Sequence, residues 1–265
     1  APRSAYRTAM TLRAWLQAAR PLAHANIAPP LLLGQALAYA VGGRFDPRLA
    51  AVAFGFGILD HLFIVFANDL ADRDADALNE APTAFSGGSR VLVEGKLRPA
   101  QLRRAAGVMA ASLLAGSGLA GWLLHRPALP GFAVAALALL AAYSLPPLRL
   151  SYRGYGALLQ GVGVGLVLPW IGFYLPSGAL FAAPFAAFAP LVLLGFASNV
   201  ITALPDAPAD AAAGKATWPV RRGEGRARRD ALVLTGVGIL LASQLGPPLP
   251  SPWRLAVVGA PVLAA

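Results

Sequence analysis

The chain has 265 residues, 57% of them apolar and 13% charged, with a formal net charge of +10 and no cysteine. The lack of cysteine excludes disulfides and thiolate metal sites. A charged share about half the roughly 25% of soluble domains excludes an ordinary water-soluble domain.

Apolar runs long enough to cross a bilayer recur along the chain, and spans are predicted at roughly 21–41, 49–68, 105–124, 128–145, 156–175, 181–204, 231–246 and 253–265. The expected fold class is all-α, a multi-span transmembrane helical bundle in a single domain over 1–265. Two four-helix halves are expected at about 21–145 and 156–265. The first run is too long for a signal-peptide core and is retained as a span. Eighteen of the 22 Lys and Arg fall in alternate inter-span segments. This puts the N-terminus and the 69–104 loop on the cytoplasmic side, as in a bacterial inner membrane. The positive charge is then mostly topology, and no nucleic-acid partner is expected.

Segment 1–20 carries Arg13, Trp15 and Arg20 and is predicted to lie at the cytoplasmic interface as a topology anchor. In span one, Pro29-Pro30 should kink or break the helix, and His24 is expected to pack rather than ligate. Span two holds Asp60-His61 near its middle, where ionisable groups are costly. Asp60, Ile64, Asn68, Asp72 and Asp76 follow one i, i+4 line and share a helix face. Asp60 should lie about 12 Å below Asn68. There it either contacts an organic substrate on a cavity floor or bonds a neighbouring helix.

Directly after span two, five of the twelve acidic residues (Asp69, Asp72, Asp74, Asp76 and Glu80) fall within twelve positions. The long loop that follows is rich in turns at Gly87, Gly88 and Gly95, and long ordered loops are often lids. Pro99 suits the first turn of span three. Span four ends at Tyr143-Ser-Leu-Pro146-Pro147-Leu-Arg149, with Arg153 shortly beyond. In span five, Gly161, Gly163 and Gly165 permit close helix approach. Span six runs into a second acidic pair, Asp206 and Asp210, followed by Gly214-Lys215-Ala-Thr217. The two clusters lie four spans apart, and two helical halves would set them face to face over a shared cavity.

Two carboxylates about 6 Å apart repel by about 0.7 kcal/mol in water, but by about 3 kcal/mol at an effective dielectric of 20. Acids merely capping span ends in water need no partner; acids lining a cavity mouth need a cation. An all-oxygen donor set favours Mg2+ over Zn2+. Mg2+ is typically held by one or two carboxylates together with substrate phosphates. Asn68, Asp72, Asp76, Asp206 and Asp210 are therefore the expected metal and diphosphate residues. Arg90, Arg149, Arg153 and Lys215 suit phosphate contacts, where a departing diphosphate needs its charge neutralised. Each serves equally well as a cytoplasmic anchor.

These residues resemble the UbiA family of intramembrane aromatic prenyltransferases. Asn68-Asp-Leu-Ala-Asp72-Arg-Asp-Ala-Asp76 is similar to that family's first motif, N-D-x-x-D-x-x-x-D. Asp206-Ala-Pro-Ala-Asp210 with Gly214-Lys215-Ala-Thr217 is similar to its second, and Tyr143-Ser-Leu-Pro-Pro-Leu-Arg149 resembles its Y-S-x-P-P-x-K segment. The resemblance implies about nine transmembrane helices around a central cavity; eight are visible, so a ninth is expected beyond residue 265. It implies Mg2+ as cofactor, with a polyprenyl diphosphate and an aromatic acceptor as substrates within the lipid bilayer. Asp72, Asp76, Asp206, Asp210 and Tyr143 would be catalytic, Tyr143 orienting the diphosphate or shielding the carbocation. Asn68, Arg90, Arg149, Arg153, Lys215 and Asp60 would bind substrate.

Gly87-Gly88-Ser89-Arg90-Val-Leu-Val-Glu94-Gly resembles the menaquinone-type branch, which prenylates 1,4-dihydroxy-2-naphthoate. The lead into the second motif departs from that branch, with Thr202-Ala-Leu-Pro205 where an Arg-containing segment is usual. Hydroxybenzoate, homogentisate, chlorophyllide or a lipid alcohol are the alternative acceptors. Two other classes fit the residues less well. A CDP-alcohol phosphotransferase needs an Asp-Gly pair, which the sequence lacks. A cation-coupled transporter would use Asp60 as its coupling carboxylate, but acids gathered on one membrane side suit a one-sided active site better.

Overall fold

The structure, a computed structural model, describes residues 12–42, 45–83 and 85–245. Among the described residues it is helical with no strand. A helical segment over 12–19 and a 3-10 turn at Pro21–Asn26 precede α1 (Ala28–Gly42). Then follow α2 (Pro47–Ala71), the short α3 (Arg73–Ala77), α4 (Pro99–Leu123) and α5 (Leu129–Ser144). The second half contains α6 (Gly156–Ser177), α7 (Ala189–Ala203), the short α8 (Ala207–Ala212) and α9 (Trp218–Arg222), and α10 (Glu224–Leu245).

Among the described residues four helices are long and apolar enough to cross a membrane: α2, α4, α6, and α7 with its leading 3-10 turn. Large apolar side chains stand on the outside, among them Val41, Trp122 and Leu232. That is the surface lipid requires. The predicted eighth span, 253–265, lies outside the described residues.

Helix starts follow proline chemistry. Pro47 and Pro99 each occupy the first helical turn, where the missing N–H costs nothing. Asp46 caps α2 by accepting from the Arg48 amide (2.8 Å). Pro29-Pro30 was expected to interrupt span one. Instead α1 begins at Ala28, so the prolines fall in its opening turn and the residues before it turn as a 3-10 helix. The seventh span was predicted from 231, but its helix already begins at Glu224 and takes in the basic run.

Glycines set how closely the helices cross. A Cβ on Gly34 of α1 would overlap the Pro169 carbonyl and the Phe173 amide of α6. Gly161 and Gly165 let α6 lie against the backbone of Val192 in α7. Within α6, Gly163–Val167 widens into a π-helical turn, a form frequent at functional sites. The α1–α6 crossing joins the start of the first half to the second, so helices from both halves enclose one central space. Arg126, in the α4–α5 turn, ties this wall together at its far end by donating to the Leu175 carbonyl (2.6 Å).

Candidate active site

Among the described residues, one cavity of about 280 Å³ opens between the halves. The i, i+4 line of α2 forms one side, with Asp60, Ile64, Asn68, Asp72 and, one short helix on, Asp76 on its wall. Tyr143, Asp206, Asp210 and Lys215 line the opposite side. Both acidic motifs thus reach one mouth, as the sequence spacing suggested. The C-terminal break of α2 at Asp72 and the turn before α8 carry the two motifs off the helix ends and over the opening.

Lys215 links the motifs. Its ammonium donates to Asp72 Oδ2 (2.9 Å) and lies 3.5 Å from Asp210 Oδ1. Burial alone would lower its pKa, but Asp72, Tyr143 and Asp210 more than reverse this and hold it above the usual lysine range. Asn68 donates to Asp72 Oδ2 (3.3 Å) and accepts from Ser144 Oγ (3.3 Å), which sets its amide. The other Asp72 oxygen, Oδ1, is buried and has no hydrogen-bond partner among the described residues.

Asp76 is pushed up to about 7, first by burial and then by Asp72 and Asp69. Asp210 is pushed up to about 6, chiefly by burial, with Lys215 opposing and Asp206 reinforcing the rise. One ammonium therefore faces four carboxylates: Asp72, Asp76, Asp206 and Asp210. The orphaned Asp72 oxygen and this excess of acid fit a divalent cation. Among the described residues no three acidic or imidazole side chains converge on one point. A cation here would take one or two carboxylates and draw its remaining ligands from a substrate, which is the habit of Mg2+.

The loop between α3 and α4 is fastened to both motifs. Asp206 accepts from Asn79 Nδ2 (2.6 Å) and from the Gly87 amide (3.1 Å). Asp69, off the i, i+4 line, is buried and accepts from the Ser89 amide (3.1 Å) and the Ser89 hydroxyl. Asp74 is exposed. Gly88 has φ +66°, and a Cβ there would run into the Asp76 carboxylate. Glycine is thus favoured by the backbone, and any side chain there would displace the Asp76 carboxylate.

Three expected phosphate contacts are not made from the cavity wall. Arg90 donates to the Asp76 and Asn79 carbonyls (2.8 and 3.1 Å) and holds the loop. Arg149 donates to the Ala71 carbonyl (3.3 Å) and stacks 3.7 Å over the Tyr152 ring. Arg153 donates to the Pro147 carbonyl (2.8 Å) from an exposed position. In each case a nearby carbonyl at a chain reversal captures the long side chain.

Other wall residues were missed. Arg20, read as a topology anchor, lines the cavity. Asn79 lies three residues after Asp76, just past the end of α3, where the acidic count passed over it. Asn199 donates to Tyr143 Oη (3.3 Å) and to Gln160 Oε1 (2.9 Å). Two amides inside apolar spans are themselves a signal.

Residues 27–265 match the family described as the UbiA prenyltransferase family. No curated protein matches the chain. The fold is similar to that of a UbiA homolog from Archaeoglobus fulgidus. The structure of that protein bound to DMAPP and Mg2+ aligns with a TM-score of 0.69 at 18% identity, covering 94% of this chain and 85% of the other. Its structure bound to GPP and Mg2+ aligns with a TM-score of 0.67 at 18% identity, covering 95% and 85%. Its structure bound to Cd2+ gives 0.65 at 18%, covering 95% and 86%.

Proposed function

Since the chain belongs to the UbiA prenyltransferase family, we propose that it transfers a polyprenyl group from a polyprenyl diphosphate to an aromatic acceptor inside the membrane. The observation that carries this reading is the meeting of Asp72, Asp76, Asp206, Asp210 and Lys215 at the mouth of one cavity. The mouth takes the Mg2+–diphosphate, and the apolar wall below it takes the isoprenoid. The archaeal homolog, whose structures hold DMAPP or GPP with Mg2+, supports the same pairing of substrate and ion. When bound, Mg2+ neutralises the diphosphate charge that grows as the allylic C–O bond ionises.

The chain's own residues supply the rest. Asn68, Asp72, Asp76, Asp206 and Asp210 hold the ions. Lys215, already charged, is the nearest cation for the departing diphosphate. Tyr143 presents its ring and hydroxyl to the cavity between the two motifs, where it orients the diphosphate and shields the cation. The buried walls exclude water, which would otherwise capture that cation.

We assign the acceptor to the quinone precursors, with 1,4-dihydroxy-2-naphthoate first. The Gly87-Gly88-Ser89-Arg90 segment supports this, and the loop it builds lies directly against both motifs. The alternation of basic segments supports a bacterial inner membrane with the mouth on the cytoplasmic side.

The test is to incubate purified protein with Mg2+, geranylgeranyl diphosphate and a panel of naphthoate, hydroxybenzoate, homogentisate and chlorophyllide, followed by mass spectrometry. A prenylated naphthoate is the expected product. Prenylation of another acceptor alone moves the branch assignment. Diphosphate retained with every acceptor would sink the transferase reading.

A further inference from the structure

Asp60 is eight residues before Asn68 on the same face of α2, which sets it about 12 Å deeper along the helix. Its side chain lines the cavity, yet the residue is only 4% exposed. Its Oδ1 has no hydrogen-bond partner among the described residues. The cavity wall is apolar at Ile27, Ile64, Ala136, Val167 and Leu168, and polar at Arg20, Asn26, Gln160 and Asn199. His61 does not serve it, because the His61 Nε2–H is committed to the Ala19 carbonyl (2.8 Å). A carboxyl within a span is costly, and among the described residues no second helix supplies a partner for its Oδ1. Oδ1 itself is sealed among its neighbours, and Asp60 reaches the cavity as one of the residues that line it.

Resting on the prenyl-transfer reading, we infer that Asp60 binds the acceptor, by accepting a hydrogen bond from a ring hydroxyl or ring amine at the pole of the cavity opposite the diphosphate. The dimensions agree. A metal-bound diphosphate at the mouth takes up the first ångströms, with Mg–O distances of about 2 Å. The allylic carbon follows, with the attacking ring atom about 3–3.5 Å beyond it. A one- or two-ring aromatic spans most of the remaining depth, and its far substituent then meets Asp60. Asp60 is in this sense a specificity residue: it selects acceptors that carry a proton donor remote from the prenylated atom.

The test is a methylation cycle. Full-length protein in detergent micelles is loaded with Mg2+ and geranyl thiolodiphosphate, a non-ionising analogue. Equilibrium binding is then measured for 1,4-dihydroxy-2-naphthoate, 4-hydroxybenzoate and their O-methyl ethers. In the wild type, methylating the hydroxyl that meets Asp60 should weaken binding about tenfold, the worth of a buried hydrogen bond to a charged group. Asp60→Asn, which keeps an acceptor oxygen, should retain much of that penalty. In Asp60→Leu the hydroxy probe should bind about as weakly as its ether, and the penalty should vanish. Thiolodiphosphate affinity should be unchanged throughout. If Leu disturbs the fold, Asp60→Ala repeats the cycle with a smaller side chain.

An equal methylation penalty with and without Asp60 overturns the inference. So does a wild type that holds thiolodiphosphate but binds neither hydroxy-aromatic probe; the prenyl-transfer reading survives that result. Failure to hold thiolodiphosphate at all would bring down the reading of the mouth, and this inference with it.

Discussion

The two acidic motifs share a D-x-x-x-D spacing but are held very differently. In the first, Asp72 has one oxygen on Lys215 and Asn68 and the other on nothing, while Asp76 is crowded by neighbouring acids. In the second, Asp206 is already engaged by the Asn79 amide and the Gly87 backbone, and Asp210 lies at 3.5 Å from Lys215. The first motif is short of partners and ready for a cation. The second doubles as the latch of the α3–α4 loop. The same spacing therefore carries unequal ligand capacity, because the surrounding hydrogen bonds decide how many lone pairs remain free.

The largest expected effect comes from the motif short of partners. Asp72→Ala should lower turnover by about 10²–10³-fold or more, as losing a principal electrostatic contact does, while the helical fold persists. Steady-state rates with Mg2+, alongside circular dichroism, check this. An Asp72→Ala enzyme that stays active and Mg2+-dependent would reverse the ranking of the two motifs.

Next comes the link between them. Lys215→Met leaves Asp72 and Asp210 without their ammonium. Breaking a buried ion pair costs about 3 kcal/mol or more, so the metal-free variant should unfold at visibly lower temperature. Mg2+ should restore more stability to the variant than to the wild type, since the ion then faces uncompensated carboxylates. Equal Mg2+ stabilisation of both proteins would show that the ion and the lysine do not share those acids.

Proton linkage gives a smaller effect of defined sign. Asp76 rises from 3.8 to about 7 and Asp210 from 3.8 to about 6 in the folded protein. Both hold their protons more tightly folded than unfolded. Their contribution to stability is thus complete below about pH 4 and is lost as pH rises through about 6–7. The metal-free protein should melt at lower temperature at pH 8 than at pH 5 on this account. Mg2+ should flatten the trend, and its binding near pH 6.5 should release protons, measurable in buffers of differing ionisation enthalpy.

How much of this was readable in the sequence follows from the range of the forces involved. Asn68, Asp72 and Asp76 all line the cavity although α2 breaks at Asp72, because the Asp72 and Asp76 amides still bond four residues back across the break. The close approach at Gly161 and Gly165 was likewise legible, since only small residues allow it. The fates of Arg90, Arg149 and Arg153 were not. A long cation settles on whichever carbonyl a chain reversal leaves open, and those carbonyls belong to loops whose path no periodicity encodes. Asn79 was missed for a related reason: its partner Asp206 is 127 positions away.

The smallest effects separate latch from bystander. Asn79→Ala removes one of the two contacts that hold the Asp206 side chain, worth about 1.5–3 kcal/mol for a hydrogen bond to a charged group. Turnover should fall about tenfold, with prenyl-diphosphate KM rising as the loop loosens over the mouth. Arg153→Ala removes a surface contact to the Pro147 carbonyl, away from the cavity wall, and should leave turnover within about twofold and stability within about 0.5 kcal/mol. Both residues belong to segments rich in motif character, so sequence alone ranks the arginine at least as high as the asparagine. A large loss in Arg153→Ala with none in Asn79→Ala would mean that the phosphate is met from the α5–α6 turn. The second motif would then be free of the loop and equal to the first.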